Sequence, residues 1–165
     1  METKKVFVLE WNPAFSSYTE AQFAEEYESF DYAVFNWSIW DWEKAHEGDV
    51  FFLIKCGKDG KTGIVQQGVF SSEPWAGEDW SGKGRPTKYI DMDVQYMIDY
   101  KKAPILTTQE LEAAMPEFQW NGGHSGREVP FEYACKLEEM WTEYLEKNLN
   151  IFDGEKAKSQ KYKPE

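Results

Sequence analysis

VFFLIK (Val50–Lys55), GKDGKTG (57–63) and IVQQGVFS (64–71) follow one another near the middle of the chain. The first is a continuous apolar run of strand length, the pattern of a strand buried on both faces. The second carries Asp-Gly, a tight-turn dipeptide that lets a chain reverse between two strands. The third is the return strand, and Gly68 inside it predicts a bulge or a close backbone approach. A hairpin at the centre predicts a sheet, and the flanking segments are read outward from it.

On the N-terminal side, KVFVLEW (5–11) is β-branched and aromatic and reads as a strand that Pro13 ends. Thr19 followed by Gln22 has the form of a capping box, and Phe23, Tyr27 and Phe30 recur at helical spacing, which predicts a helix over 19–29. DYAVFNWSIWDW (31–42) is aromatic at nearly every second residue and shows no single period.

On the C-terminal side, 72–86 is a long Gly/Ser/Trp-rich loop, of a length that is uncommon unless functional or disordered. KYIDMDV (88–94) alternates like a strand. Thr107 with Glu110 opens a short helix over 107–115, closed by Pro116. WNGGHSGR (120–127) is a glycine-rich loop, and Pro130 opens a long helix whose apolar stripe is Ala134, Leu137, Trp141, Tyr144 and Leu145. Strands clustered between flanking helices predict an α+β fold, a curved mixed sheet or small barrel with helices packed at its ends. A single domain spans 1–152, and the polar tail 153–165 is expected to fray.

The chain has 165 residues, a net charge of −12 and 17% aromatic residues, eight of them tryptophan. Nucleic-acid binding through counterion release needs Lys and Arg, so contact with nucleic acid is expected to be local. Cys56 and Cys135 belong to no CxxC or Cys/His cluster, and both are expected to be reduced, buried thiols. Neither a leader nor a run of membrane-span length is visible, so a cytoplasmic protein without membrane contact is expected. His46 and His124 lack partners at metal-ligand spacing, and no nucleophile elbow, P-loop or dinucleotide fingerprint occurs. Glu25 with Glu26, and Glu138 with Glu139, read as solvated helix faces. No cofactor is called for, and no convergent set supports an enzyme. Ser125 and His124 with a carboxylate are the nearest approach to one.

Three stretches in order resemble the EVE family of the PUA-like superfamily, which also holds YTH and ASCH domains. They are FNWSIWDW (35–42) with GDVFFLIKCG (48–57); TGIVQQGVFSSEPW (62–75) with YIDMDV (89–94); and FQWNGGHSGREVP (118–130) leading into LEEMW (137–141). The last resembles the EVE type found beside restriction-type nucleases. The resemblance covers roughly 35–141. It implies a PUA-like barrel whose pocket accepts a modified base, such as methylated cytosine or adenine, flipped from nucleic acid.

By position, the resemblance puts Asn36, Trp37 and Ser38 at the pocket's mouth, between the first helix and the central strand. Trp37 would stack on the base and Ser38 would meet its edge. Trp40 is a further candidate for the aromatic wall. Ser71 would form part of the floor, Trp75 or Trp80 would close the cage, and Asn121, Ser125 and Gly126 would add polar or close-backbone contacts. Lys83, Arg85 and Lys88 would meet flanking phosphates. Each has a plainer alternative: Trp37 and Trp40 as core, the lysine cluster as a solvated turn, Asn121 and Ser125 as loop caps. Trp120 and Trp141 are expected in the core. Other partners consistent with the residues are a free nucleotide, a separately encoded nuclease or other effector, or a protein held by tryptophan anchors.

Overall fold

Val6–Trp11 (β1) is buried along its whole length and runs parallel to Val50–Lys55 (β3), in register from Val6 opposite Val50 to Trp11 opposite Lys55. Both are mainly apolar on both faces, as suits an interior parallel pair, with Glu10 and Lys55 the buried charged exceptions. The computed structural model describes residues 4–29, 34–58, 60–77, 87–152 and 157–159. A parallel pair needs a long crossover, and this one carries Glu20–Glu28 (α1) and Val34–Ser38 (β2). The Thr19–Gln22 capping box forms as expected.

The central hairpin forms too, with β3 antiparallel to Gly63–Phe70 (β4). Gly68 sits at a register shift, and a Cβ there would collide with the carbonyl oxygen of Asp93. β4 pairs with Thr87–Ile98 (β6), a strand longer than its alternating core, 88–94, announces. β6 also receives β2, Trp75–Gly77 (β5) and Ala157–Ser159 (β8). β8 lies in the segment expected to fray, yet it extends the sheet. The aromatic run 31–42, which has no clear period, supplies β2.

The principal strand order is β2-β6-β4-β3-β1-β7, where β7 is Arg127–Glu128, inside what reads as loop. The outer strands of this path come together. Beyond β2, the backbone N–H groups of Trp40 and Asp41 donate to the carbonyls of Ser125 and Gly126, each at 2.9 Å. The Glu128 N–H donates to Asp41 Oδ2 at 2.8 Å, and the Gly126 N–H to the Val8 carbonyl at 2.9 Å. The mixed sheet is therefore curled and fastened where β2 meets β7.

Helices cover this sheet. Phe131–Lys147 (α3) buries Ala134, Leu137, Trp141 and Tyr144, with Trp141 edge-on to Phe52 and Tyr96. A large apolar side chain such as Leu137 contributes roughly 1.5–3 kcal/mol when removed from water, before entropy is counted. On the opposite side, α1 lays Phe23 flat on Trp11, with ring centroids 5.1 Å apart. Thr108–Ala114 (α2) buries Leu111, and its capping box forms as well. Trp120 and Trp141 are buried as expected. Cys56 is buried but Cys135 is exposed, because it points away from the apolar stripe of α3, and both are free thiols. Among the described residues no helix is long and apolar enough to cross a membrane.

Candidate functional site

A cavity of about 190 Å³ lies between α1 and the sheet. β2 contributes Phe35, Asn36 and Trp37, β4 contributes Gln66, and β6 contributes Met92. Tyr18, from the connection between β1 and α1, and Glu26, from α1, complete the lining. The Tyr18 ring stands edge-on to Trp37, with centroids 5.6 Å apart and planes at 87°. That arrangement suits aromatic quadrupoles and fixes both rings.

Polar groups are few and specific. Tyr18 donates its hydroxyl to Glu26 Oε2 at 2.7 Å. Burial raises the Glu26 carboxyl above its ordinary value, the Tyr18 hydrogen bond opposes this, and neighbouring Glu25 adds to it. Glu26 was expected on a solvated face; it is instead half-buried, turned toward the sheet by Tyr18. Gln66 is 1% exposed, and its Oε1 has no hydrogen-bond partner. A buried acceptor without a donor costs on the order of 1–3 kcal/mol, so it calls for an explanation.

Asn36 and Trp37 are thus brought together on this cavity, Asn36 exposed at its edge and Trp37 half-buried. Ser38 ends β2 opposite Tyr89. Trp40 is 59% exposed and lies flat on the His124 ring at 3.8 Å, beside the seam that Ser125 and Gly126 form. The Ser125 hydroxyl accepts from the Glu10 N–H at 2.9 Å. Asn121 clamps Gly57, accepting from its N–H at 2.8 Å and donating to its carbonyl at 3.2 Å. These residues hold loops to one another. Ser71 is exposed, and its N–H donates to the Asp91 carbonyl. Trp75 donates to Asp91 Oδ1 at 3.0 Å and packs on Tyr89. Lys88 places its ammonium over the Trp42 ring at 4.8 Å. Trp80, Lys83 and Arg85 lie outside the described residues.

Tyr18, Phe35, Gln66 and Met92 were not named as site residues by sequence reasoning, and Glu26 was read as solvated. One signal existed: Gln66 and Gln67 are two amides inside an otherwise apolar return strand.

A separate buried cluster lies behind the loops. Arg127 donates to Glu10 Oε1 at 2.8 Å, while Glu10 Oε2 has no hydrogen-bond partner. Burial pushes the Glu10 carboxyl up to about 8 despite the opposing guanidinium. Burial, followed by the Glu10 charge, pushes the Cys56 thiol up to about 11. Among the described residues no group of three or more His, Cys, Asp and Glu side chains is arranged to hold a metal.

No family model matches the chain, and no curated protein matches it. Among solved structures, the protein PSPTO5229 from Pseudomonas syringae is similar at 14% identity and a TM-score of 0.54, covering 82% of this chain and 98% of that one. The fold is the expected α+β one, a curled mixed sheet with helices packed against it. A second structure, human THYN1 in complex with 5-methylcytosine-containing DNA, aligns at 12% identity and a TM-score of 0.48, covering 69% of this chain and 77% of that chain.

Proposed function

We propose that this chain is a non-catalytic, EVE-type reader that admits one modified base into the cavity beside Trp37. The observation that carries the reading is the pairing of aromatic walls with one unmet acceptor. Trp37, Tyr18 and Phe35 offer π surface to a flat ring, and Met92 offers a polarizable wall for a methyl group. Gln66 Oε1 would accept the exocyclic N–H of cytosine or adenine, which a singly methylated amine still retains. A volume of about 190 Å³ suits a small flat ring rather than a peptide segment.

A protein-contact reading would rest on exposed tryptophans. Trp40, Trp42 and Trp75 are exposed, but each is already engaged, by His124, Lys88 and Asp91 respectively. The cavity therefore supports the base reading more directly.

The test is binding of single-stranded oligonucleotides carrying 5-methylcytosine or N6-methyladenine against their plain counterparts, with free nucleotides alongside. A modified oligonucleotide is expected to bind more tightly. Trp37→Ala is expected to weaken that binding about tenfold, since stacking on one aromatic contributes ~1–3 kcal/mol. Equal affinity across the panel would overturn the reading.

A further inference from the structure

A second, larger cleft of about 990 Å³ opens on the other side of the β1–α1 connection. Lys55, Lys58, Lys61 and Lys101 line it, so four of the 18 basic residues of a chain of net charge −12 gather in one place. Among the described lining residues the acid is Glu20, which accepts the Tyr100 hydroxyl at 2.6 Å. Asp59, next to Lys58 in the sequence, lies outside the described residues. The Lys61 ammonium is steered by the Ala103 carbonyl at 3.1 Å, which leaves it further donors. Lys58 and Lys101 are exposed, and their ammonium groups have no partner among the described residues. Phe15, 88% exposed, stands at the same cleft.

We infer that this cleft holds the phosphates of a single strand of nucleic acid whose modified base occupies the Trp37 cavity. The inference rests on the reading proposed above and adds a second contact surface to it. Lysines beside an exposed aromatic combine the two elements of single-strand binding, a positive groove and a stacking platform. The two sites are neighbours: Tyr18 lines the cavity, Tyr100 lines the cleft, and both pack against Phe23, at 6.4 and 5.3 Å between centroids. One ring separates them, so nucleotides flanking the bound base would run past the lysines. Local concentration of positive charge also explains how so acidic a chain can bind a polyanion.

The experiment compares the full chain with the double variant Lys58→Ala/Lys101→Ala and with Trp37→Ala, measuring oligonucleotide affinity across a salt series. Both lysines are solvent-exposed, so the fold is expected to survive. The double variant should bind modified and plain oligonucleotides more weakly by the same factor, and its log–log salt slope should fall by about one per lysine. Trp37→Ala should lose the preference for the modified base and keep the salt slope. An unchanged slope and affinity in the double variant would overturn the cleft while leaving the base reading standing. A reduced slope with no preference for any modified base in the parent would sink the base reading and support the cleft. A mononucleotide that binds as tightly as the oligonucleotide would exclude a strand as the occupant, and no oligonucleotide binding at low salt would end both.

Discussion

Gly126 approaches Ile39 so closely that a Cβ on it would stand 2.5 Å from the Ile39 Cα. This contact is the point at which the curled sheet is fastened, because Gly126 accepts from Asp41 and donates to Val8 at the same place. Its φ of +86° adds a second demand for glycine. Gly126→Ala is expected to destabilise the fold by at least ~2 kcal/mol, from left-handed strain and overpacking together. Gly122→Ala is the comparison: φ is +103°, but the nearest atom to the added Cβ is a side-chain nitrogen 3.6 Å away. It should cost clearly less. Urea midpoints measure both, and an equal loss for the two variants would show that the seam is not tightly closed.

Gln66 gives a prediction in which stability and binding part company. If its Oε1 is held without a donor in the free protein, Gln66→Leu removes a desolvation penalty and keeps similar volume. Stability is expected to stay level or rise by ~1 kcal/mol, while affinity for a modified base falls. A loss of stability above ~2 kcal/mol would mean that the amide has a structural partner.

The frame of this fold was largely legible in the sequence, and the cavity only partly so. Capping boxes at Thr19 and Thr107, the Val50–Lys55 run and the stripe of α3 are local signals, and each appears where it was expected. The parallel partnership of β1 and β3 is not local, since nothing in either strand specifies its neighbour across about 40 residues. β7 is two residues long and is defined only by what it meets. The same reason hid Tyr18 and Met92: a pocket wall is a property of the packing between elements. Asn36 and Trp37 carry no local signal of a cavity either, and were named beforehand only through a resemblance.

The cysteines should differ sharply in reactivity. Cys135 is exposed on α3, whereas Cys56 is buried with its thiol pushed up to about 11. Only thiolate reacts, so a maleimide at neutral pH should label one site per native chain. Cys135→Ser should abolish that native labelling, and Cys56 should react only after unfolding in urea. Two fast equivalents in the native protein would contradict the burial of Cys56.

Glu10 should make stability fall as pH rises through neutrality. Its carboxyl releases a proton near 4.5 in an unfolded chain but holds it up to about 8 in the folded one, because burial outweighs the Arg127 charge. Between those values the native state binds more protons than the unfolded state, so each step up in pH favours unfolding. The contribution is fully present below pH 4.5 and is lost by the time pH has passed about 8. Its slope can reach at most ~1.4 kcal/mol per pH unit for one proton. Other groups titrate in the same window, so the difference between parent and Glu10→Gln isolates this one. The variant should show a flatter dependence of the urea midpoint on pH, converging on the parent at the acid end, where both side chains are neutral. A parent that gains stability relative to Glu10→Gln as pH rises would mean that the Arg127 ion pair, not burial, governs the carboxyl.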